Sequence, residues 1–137
     1  MASKDEIAAF IAREFPQTRI VVEDVGEQSA TVSQAIDHSD LRPGGTVSGP
    51  TLMAVADVAL YVAVLGAIGI VPLAVTTSLT INFLRKPQAE RRIIAECQLM
   101  KVGKTLAIGE VSLYAEGSPD AVAHVVGTYA IPPEHLR

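Results

Sequence analysis

A chain of 137 residues, 49% apolar and 19% charged, has the size and composition of one folded domain with a substantial core, and this argues against a disordered protein. A formal net charge of −4, with three Phe, three Tyr and no Trp, argues against general nucleic-acid binding, which needs a basic face and a stacking surface. The lone cysteine, Cys97, leaves no internal disulfide framework and fits a reducing compartment; alternating with Ala95 and Leu99, it reads as a small packed hydrophobe.

The first residues, Met-Ala-Ser-Lys-Asp-Glu, lack the basic-then-apolar order of a signal peptide, so a cytoplasmic location is expected. Ser3 and Glu6 form a capping box, and Ile7, Phe10, Ile11 and Phe15 recur at helical spacing. An amphipathic helix is predicted over about 3–15, stopping before Pro16. Short strands are predicted over 19–25 and 29–36, parted by Gly26, then a polar loop with Pro43-Gly44-Gly45. A long helix follows from about 48 to 65, with Ser48 as N-cap, Pro50 in the first turn, and Gly66 and Gly69 ending it. Because it is apolar all round, the protein is expected to enclose it. Residues 50–75 also have the hydropathy of a membrane span, but Asp57, the cluster Gly66, Gly69, Pro72 and the globular flanks argue against one.

Downstream, period-two alternation replaces helical spacing. Strands are predicted over 75–83, 92–102, 105–114 and 122–131, with turn signals at Lys86-Pro87, Gly103 and Gly117-Ser118-Pro119. Turns this short favour antiparallel neighbours. The expectation is a single α+β domain over 1–137, with a central helix covering one face of a curved antiparallel sheet of five to six strands.

Between Pro50 and Val75 the only ionisable groups are Asp57 and the weakly acidic Tyr61. Burying an unpaired charge costs several kcal/mol, so Asp57 is paired, protonated or chemically employed. Position alone leaves open a hydrogen bond to backbone, an ion pair with a buried arginine, or catalysis. The N-terminal turn of the same helix offers free N–H groups and partial positive charge, and Gly49 is the small residue whose N–H could hold an oxyanion. Eight residues of helix span roughly 12 Å, so Gly49 and Asp57 of one chain cannot both touch one carbonyl. Two antiparallel copies can, and the catalytic reading therefore predicts a homodimer with composite sites. His38, His124, His135 and Cys97 show no metal-ligand spacing, so no metal is expected. No Gly-x-Ser-x-Gly elbow makes Ser48 a nucleophile, and Gly44-Gly45 is too short for a phosphate loop.

The ordered runs SGPTLMAVADVALYVAV, AVTTSLTINFLRKP, GKTLAIGEVSLY and AVAHVVGTYAIP resemble hotdog-fold acyl-CoA thioesterases, most nearly the phenylacetate-pathway branch. The resemblance covers about residues 30–131. Ser48-Gly49-Pro50 stands where that branch has His-Gly-Gly, and Val55-Ala56-Asp57 where it has Leu-Ala-Asp. The resemblance implies Asp57 as nucleophile or general base, the Gly49 N–H as carbonyl polariser, and a strand hydroxyl, Thr76 or Thr77, orienting water or substrate. It also implies dimers, often paired into tetramers, with coenzyme A entering only as part of the substrate and no separate cofactor. Ser48 for histidine and Pro50 for glycine are departures; Ser48 still caps the helix, and Pro50 leaves Gly49 as the donor. Residues 82–104 carry six basic side chains against two acidic ones. Arg85, Lys86 and Lys104 are the contacts expected for coenzyme A phosphates, unless they form a solvated strand rim. Met53 and Tyr61 are expected along the acyl tunnel. The alternative on the same fold is a non-catalytic module that binds acyl-CoA or a lipid-like ligand.

Overall fold

The structure is a computed structural model that describes every residue, Met1–Arg137. Its elements run α1 (Lys4–Glu14), β1 (Val21–Gly26), β2 (Ser29–Gln34), a 3-10 turn (His38–Asp40), α2 (Gly49–Ile68), β3 (Val75–Phe83), β4 (Ile93–Val102), β5 (Leu106–Ala115), β6 (Ala121–Ala130) and a last 3-10 turn (Glu134–Leu136). The expected capping box starts α1: Ser3 Oγ accepts from the Glu6 N–H at 3.2 Å, and Glu6 Oε1 accepts from the Ser3 N–H at 3.0 Å.

The six strands form one antiparallel sheet in the order β1-β2-β4-β5-β6-β3, curled around α2, which touches every strand. This is the hotdog arrangement. Leu52, Val55, Ala56, Leu60 and Val62 of α2 pack fully buried against Val32, Ile93, Val111, Leu113 and Val125 of the sheet. A β-carbon on Gly127 would lie 2.5 Å from Leu60 Cδ1, and one on Gly109 3.0 Å from Leu60 Cδ2. These two glycines face each other across β5 and β6, so Leu60 inserts where the sheet has no side chains. The hydropathy of α2 has its explanation here: at mean hydropathy 2.1 it is long and apolar enough to cross a membrane, yet it is the core helix of this fold.

Several expectations need correction. Gly66 lies inside α2, which continues to Ile68 and turns out of the helix at Gly69, whose φ of 101° favours glycine. Gly66 serves packing, since a β-carbon there would sit 2.7 Å from Val25 Cγ1. Nor is α2 enclosed all round: Pro50, Met53 and Ala54 are exposed, and Asp57 and Val58 half-buried. Their spacing of three and four marks one open stripe along the helix.

The largest departure concerns β3. A turn at Lys86-Pro87 suggests that it neighbours β4, but β3 lies at the far edge of the sheet beside β6. The connection over residues 84–92 is a crossing, not a hairpin. It is held on the way by the Val47 N–H donating to Pro87 O at 3.1 Å and by a bridge between Thr46 and Gln88. The crossing passes the N-terminus of α2 and leaves β3 as an edge strand. The other strands match their expected ranges within two residues at each end, where helix and strand ends normally fray.

Candidate active site

The start of α2 is built from the loop before it. Ser48 Oγ accepts from the Thr51 N–H at 3.3 Å, the expected cap, and the Ser48 N–H donates to Asp40 O at 2.8 Å. Asp40 is only 6% exposed, and its two carboxylate oxygens accept from Arg19 Nη2 at 2.9 and 2.7 Å, while Oδ1 also accepts the Thr51 hydroxyl at 3.2 Å. The buried anion thus ties strand entry, loop and helix start into one unit. Within this turn the Gly49 N–H makes no hydrogen bond inside the chain. The end of the Phe83 ring approaches Gly49 so closely that a β-carbon there would lie 3.0 Å from Cζ.

Gly49 opens onto a cavity of about 430 Å³ that also meets Arg42, Phe83, Arg85 and Lys86. The crossing connection delivers the last two. Arg85 Nη1 donates to Ala121 O at 2.7 Å; Arg42 and Lys86 form no ion pair. Three cations and no acid line this cleft, so it favours an anionic ligand.

Two turns further along the open stripe, Asp57 reaches a second cavity of about 230 Å³, lined by Phe15, Val58, Tyr61, Val75, Thr76 and Tyr129 among others. No arginine or lysine pairs with Asp57. Instead its Oδ1 accepts the Thr76 hydroxyl at 2.6 Å and the Tyr129 hydroxyl at 2.8 Å. Thr76 gets there through a bulge. Thr76 pairs with Tyr129 and Ser78 with Thr128, so Thr77 is an extra residue in β3. The bulge turns Thr76 onto the helix side that Leu79 also faces, against strict alternation. Thr77 is exposed, and its hydroxyl donates weakly to Thr128 O at 3.4 Å.

The ring of Tyr129 stacks on Tyr61 with centroids 5.9 Å apart, Phe15 meets Tyr61 edge-on at 6.3 Å, and the Tyr61 hydroxyl donates to Pro72 O at 3.0 Å. Burial pushes the Tyr61 phenol above its usual range. It pushes Tyr129 further, with the negative Asp57 adding to it, so both stay protonated donors.

The remaining predicted residues scatter. Met53 lies on the open stripe between the two cavities, and Pro50 sits exposed beside Gly49. Lys104 is exposed in the β4–β5 turn, at the end of the sheet where β3 begins, and so lies far from Arg85 and Lys86 within one chain. Cys97 is buried, with its thiol pushed up to about 12 by desolvation and, secondarily, by Glu110. His124 Nε2 stands 3.1 Å from Glu110 Oε1, away from both cavities. No group of three or more metal-binding side chains occurs.

Sequence reasoning missed Asp40, Arg42 and Tyr129. For Tyr129 a signal existed: a hydroxyl at an inward position of the last strand needs a buried partner. Asp40 ends a single 3-10 turn and Arg42 sits in the loop after it, where no period says which way a side chain points.

The family model described as thioesterase superfamily matches residues 44–122. The crystal structure of a candidate thioesterase from Silicibacter sp. TM1040 is 39% identical over 96% of this chain and 92% of its own, with a TM-score of 0.88. The chain belongs to the thioesterase superfamily. Other solved structures share its fold at lower identity. The Escherichia coli PaaI protein of the phenylacetic acid degradation operon is 23% identical (93% of this chain, 88% of its own, TM-score 0.73). A hypothetical thioesterase from Streptococcus pneumoniae, solved with coenzyme A, is 18% identical (83% and 86%, TM-score 0.75). No curated protein matches the chain. The superfamily match contains Gly49, Asp57, Thr76, Arg85 and Lys86; Phe15 and Tyr129 lie outside it.

Proposed function

We propose that the protein is an acyl-CoA thioesterase acting as a homodimer in which each site joins Asp57 of one chain to the Gly49 N–H of the other. The observation that carries this reading is the split between the two cavities. One holds an unspent oxyanion donor among cations, the other a carboxylate among aromatic and apolar side chains, and about 12 Å of helix separates them. Pairing across the β3 edge closes that gap. In an antiparallel β3–β3 pair centred on Leu79, the Phe83 end of one strand faces the Val75 end of the other, which carries Gly49 of the partner subunit toward Asp57. The edge that would be covered carries no charge, the usual protection of an edge strand, and exposes an apolar side chain at each end, Val75 at 54% and Phe83 at 52%.

The thioester carbonyl would then lie on the Gly49 N–H, with the coenzyme A phosphates toward Arg42, Arg85 and Lys86. The acyl group would enter the pocket beside Tyr61. In one route Asp57 takes a proton from water as its oxygen bonds to the carbonyl carbon, the C–S bond breaks, and the thiolate leaves to be protonated. In the other Asp57 attacks the carbonyl itself, the C–S bond breaks and the thiolate leaves to be protonated, and water then hydrolyses the mixed anhydride to free acid and the aspartate. Both routes build the same oxyanion at Gly49. The PaaI-like branch, a cytoplasmic setting, Met53 as a wall of the acyl tunnel, and Lys104 of the partner subunit as a further phosphate contact belong to this reading. Pairing of dimers into tetramers rests on resemblance alone.

The test is thiol release from a panel of acyl-CoAs by the parent protein and by Asp57→Asn. Release lost in the folded variant supports the proposal. Full turnover by the variant overturns the role of Asp57, and saturable acyl-CoA binding without release by the parent replaces the enzyme with a binding module.

A further inference from the structure

The two donors of the Asp57 site converge on one oxygen. Thr76 and Tyr129 both reach Oδ1, at 2.6 and 2.8 Å, and the Tyr129 hydroxyl lies 3.0 Å from the main-chain oxygen of the same aspartate. Oδ2 has no partner within the chain. Since no buried side-chain oxygen is left unpaired, Oδ2 opens into the cavity.

Resting on the thioesterase reading, we propose that Tyr129 is a positioning residue: it clamps Asp57 through Oδ1 and so makes Oδ2 the oxygen that meets water or thioester. The hydroxyl bridges main chain and side chain of one residue, which fixes the torsions between them. Its ring is well anchored for this, 4% exposed and stacked on Tyr61. A merely satisfied core tyrosine would need only the carbonyl. This one shares its proton with a carboxylate that already has a strong donor in Thr76. Two donors on one oxygen hold the carboxylate in a single orientation while leaving the second oxygen unburdened. Tyr61 and Tyr129 are the only other titratable groups lining the cavity, so no cation competes for this role.

The decisive variant is Tyr129→Phe, which keeps the ring stack and removes only the hydroxyl. The folded variant should lose kcat by about 10-fold or more with KM unchanged. Thr76→Val should act likewise, and the double variant should cost less than the product of the two, since both act on one oxygen. A crystal structure of Tyr129→Phe should show the Asp57 carboxylate turned from its parental orientation. Parental kcat, or an unmoved carboxylate, overturns the clamp. If Asp57→Asn kept full turnover, the thioesterase mechanism would fall instead, and the carboxylate orientation in Tyr129→Phe would still decide whether Tyr129 holds it.

Discussion

A heterodimer of two inactive chains tests the shared site directly. Asp57→Asn removes the carboxylate, and Gly49→Pro removes the N–H at a first-turn position that proline tolerates. A reacting carbonyl must lie about 3 Å from both groups, whereas one chain holds them about 12 Å apart. Losing an oxyanion donor costs about 10²- to 10³-fold in kcat, so each parental homodimer should run below about 1% of the unmodified protein. In the heterodimer one site combines both defects and the other combines Asp57 with Gly49. Co-expression with two different tags and purification through both should therefore recover about half the unmodified activity per dimer. Gly49→Ala is the steric control: it keeps the N–H and adds a β-carbon 3.0 Å from the exposed, movable end of Phe83. A doubly tagged heterodimer that stays at parental background would refute the composite site, and recovery in either parent alone would show that its substitution is harmless.

Thr76→Val should lower kcat by about 10-fold or more while Thr77→Val leaves it within about 2-fold, measured on one acyl-CoA under saturation. Asp40→Ala should destabilise the fold by about 1–3 kcal/mol in urea denaturation, because Arg19 and the Thr51 hydroxyl lose a nearly buried acceptor. Gly127→Val should cost about 1–3 kcal/mol in the same assay, since its side chain would meet Leu60 and Leu79. Stability should also fall as pH drops below about 5. Hydrogen bonds to Ser33 and Arg92 hold Glu23 below the usual carboxylate range, and Arg92 does the same for Glu116. A depressed folded value means this contribution is complete above the unfolded value and is lost as pH falls through the folded one, which thermal melts across pH 3–6 (about the carboxylate range) can follow.

The fold was legible where periodicity is physical. Ser3 with Glu6 and Ser48 with Pro50 each state a local geometry, and the structure realises both; the alternation of 75–83 marks the strand correctly but breaks at the bulge. Strand order was not legible, because residues 84–92 look like a turn whichever edge β3 occupies. The bulge hid equally well: three adjacent hydroxyls, Thr76, Thr77 and Ser78, are chemically alike, and only pairing with β6 decides which of them faces the helix. Asp57 stood out as a charge in an apolar run, while its partner Tyr129, 72 residues away in sequence, is drawn to it by the sheet alone.

The extra residue at Thr77 acts as a reading-frame marker for the strand. Pairing β3 with β6 without interruption at unchanged length would set Thr77 opposite Tyr129 and turn Thr76 out of the pocket, whereas deleting Thr77 would keep Thr76 opposite Tyr129. Register in this strand is therefore as much a part of the chemistry as the identity of its hydroxyls. A slide of the first residues of β3 by one position along β6 would therefore behave as an active-site substitution, whereas a changed length in the β5–β6 turn would amount to a change of loop alone.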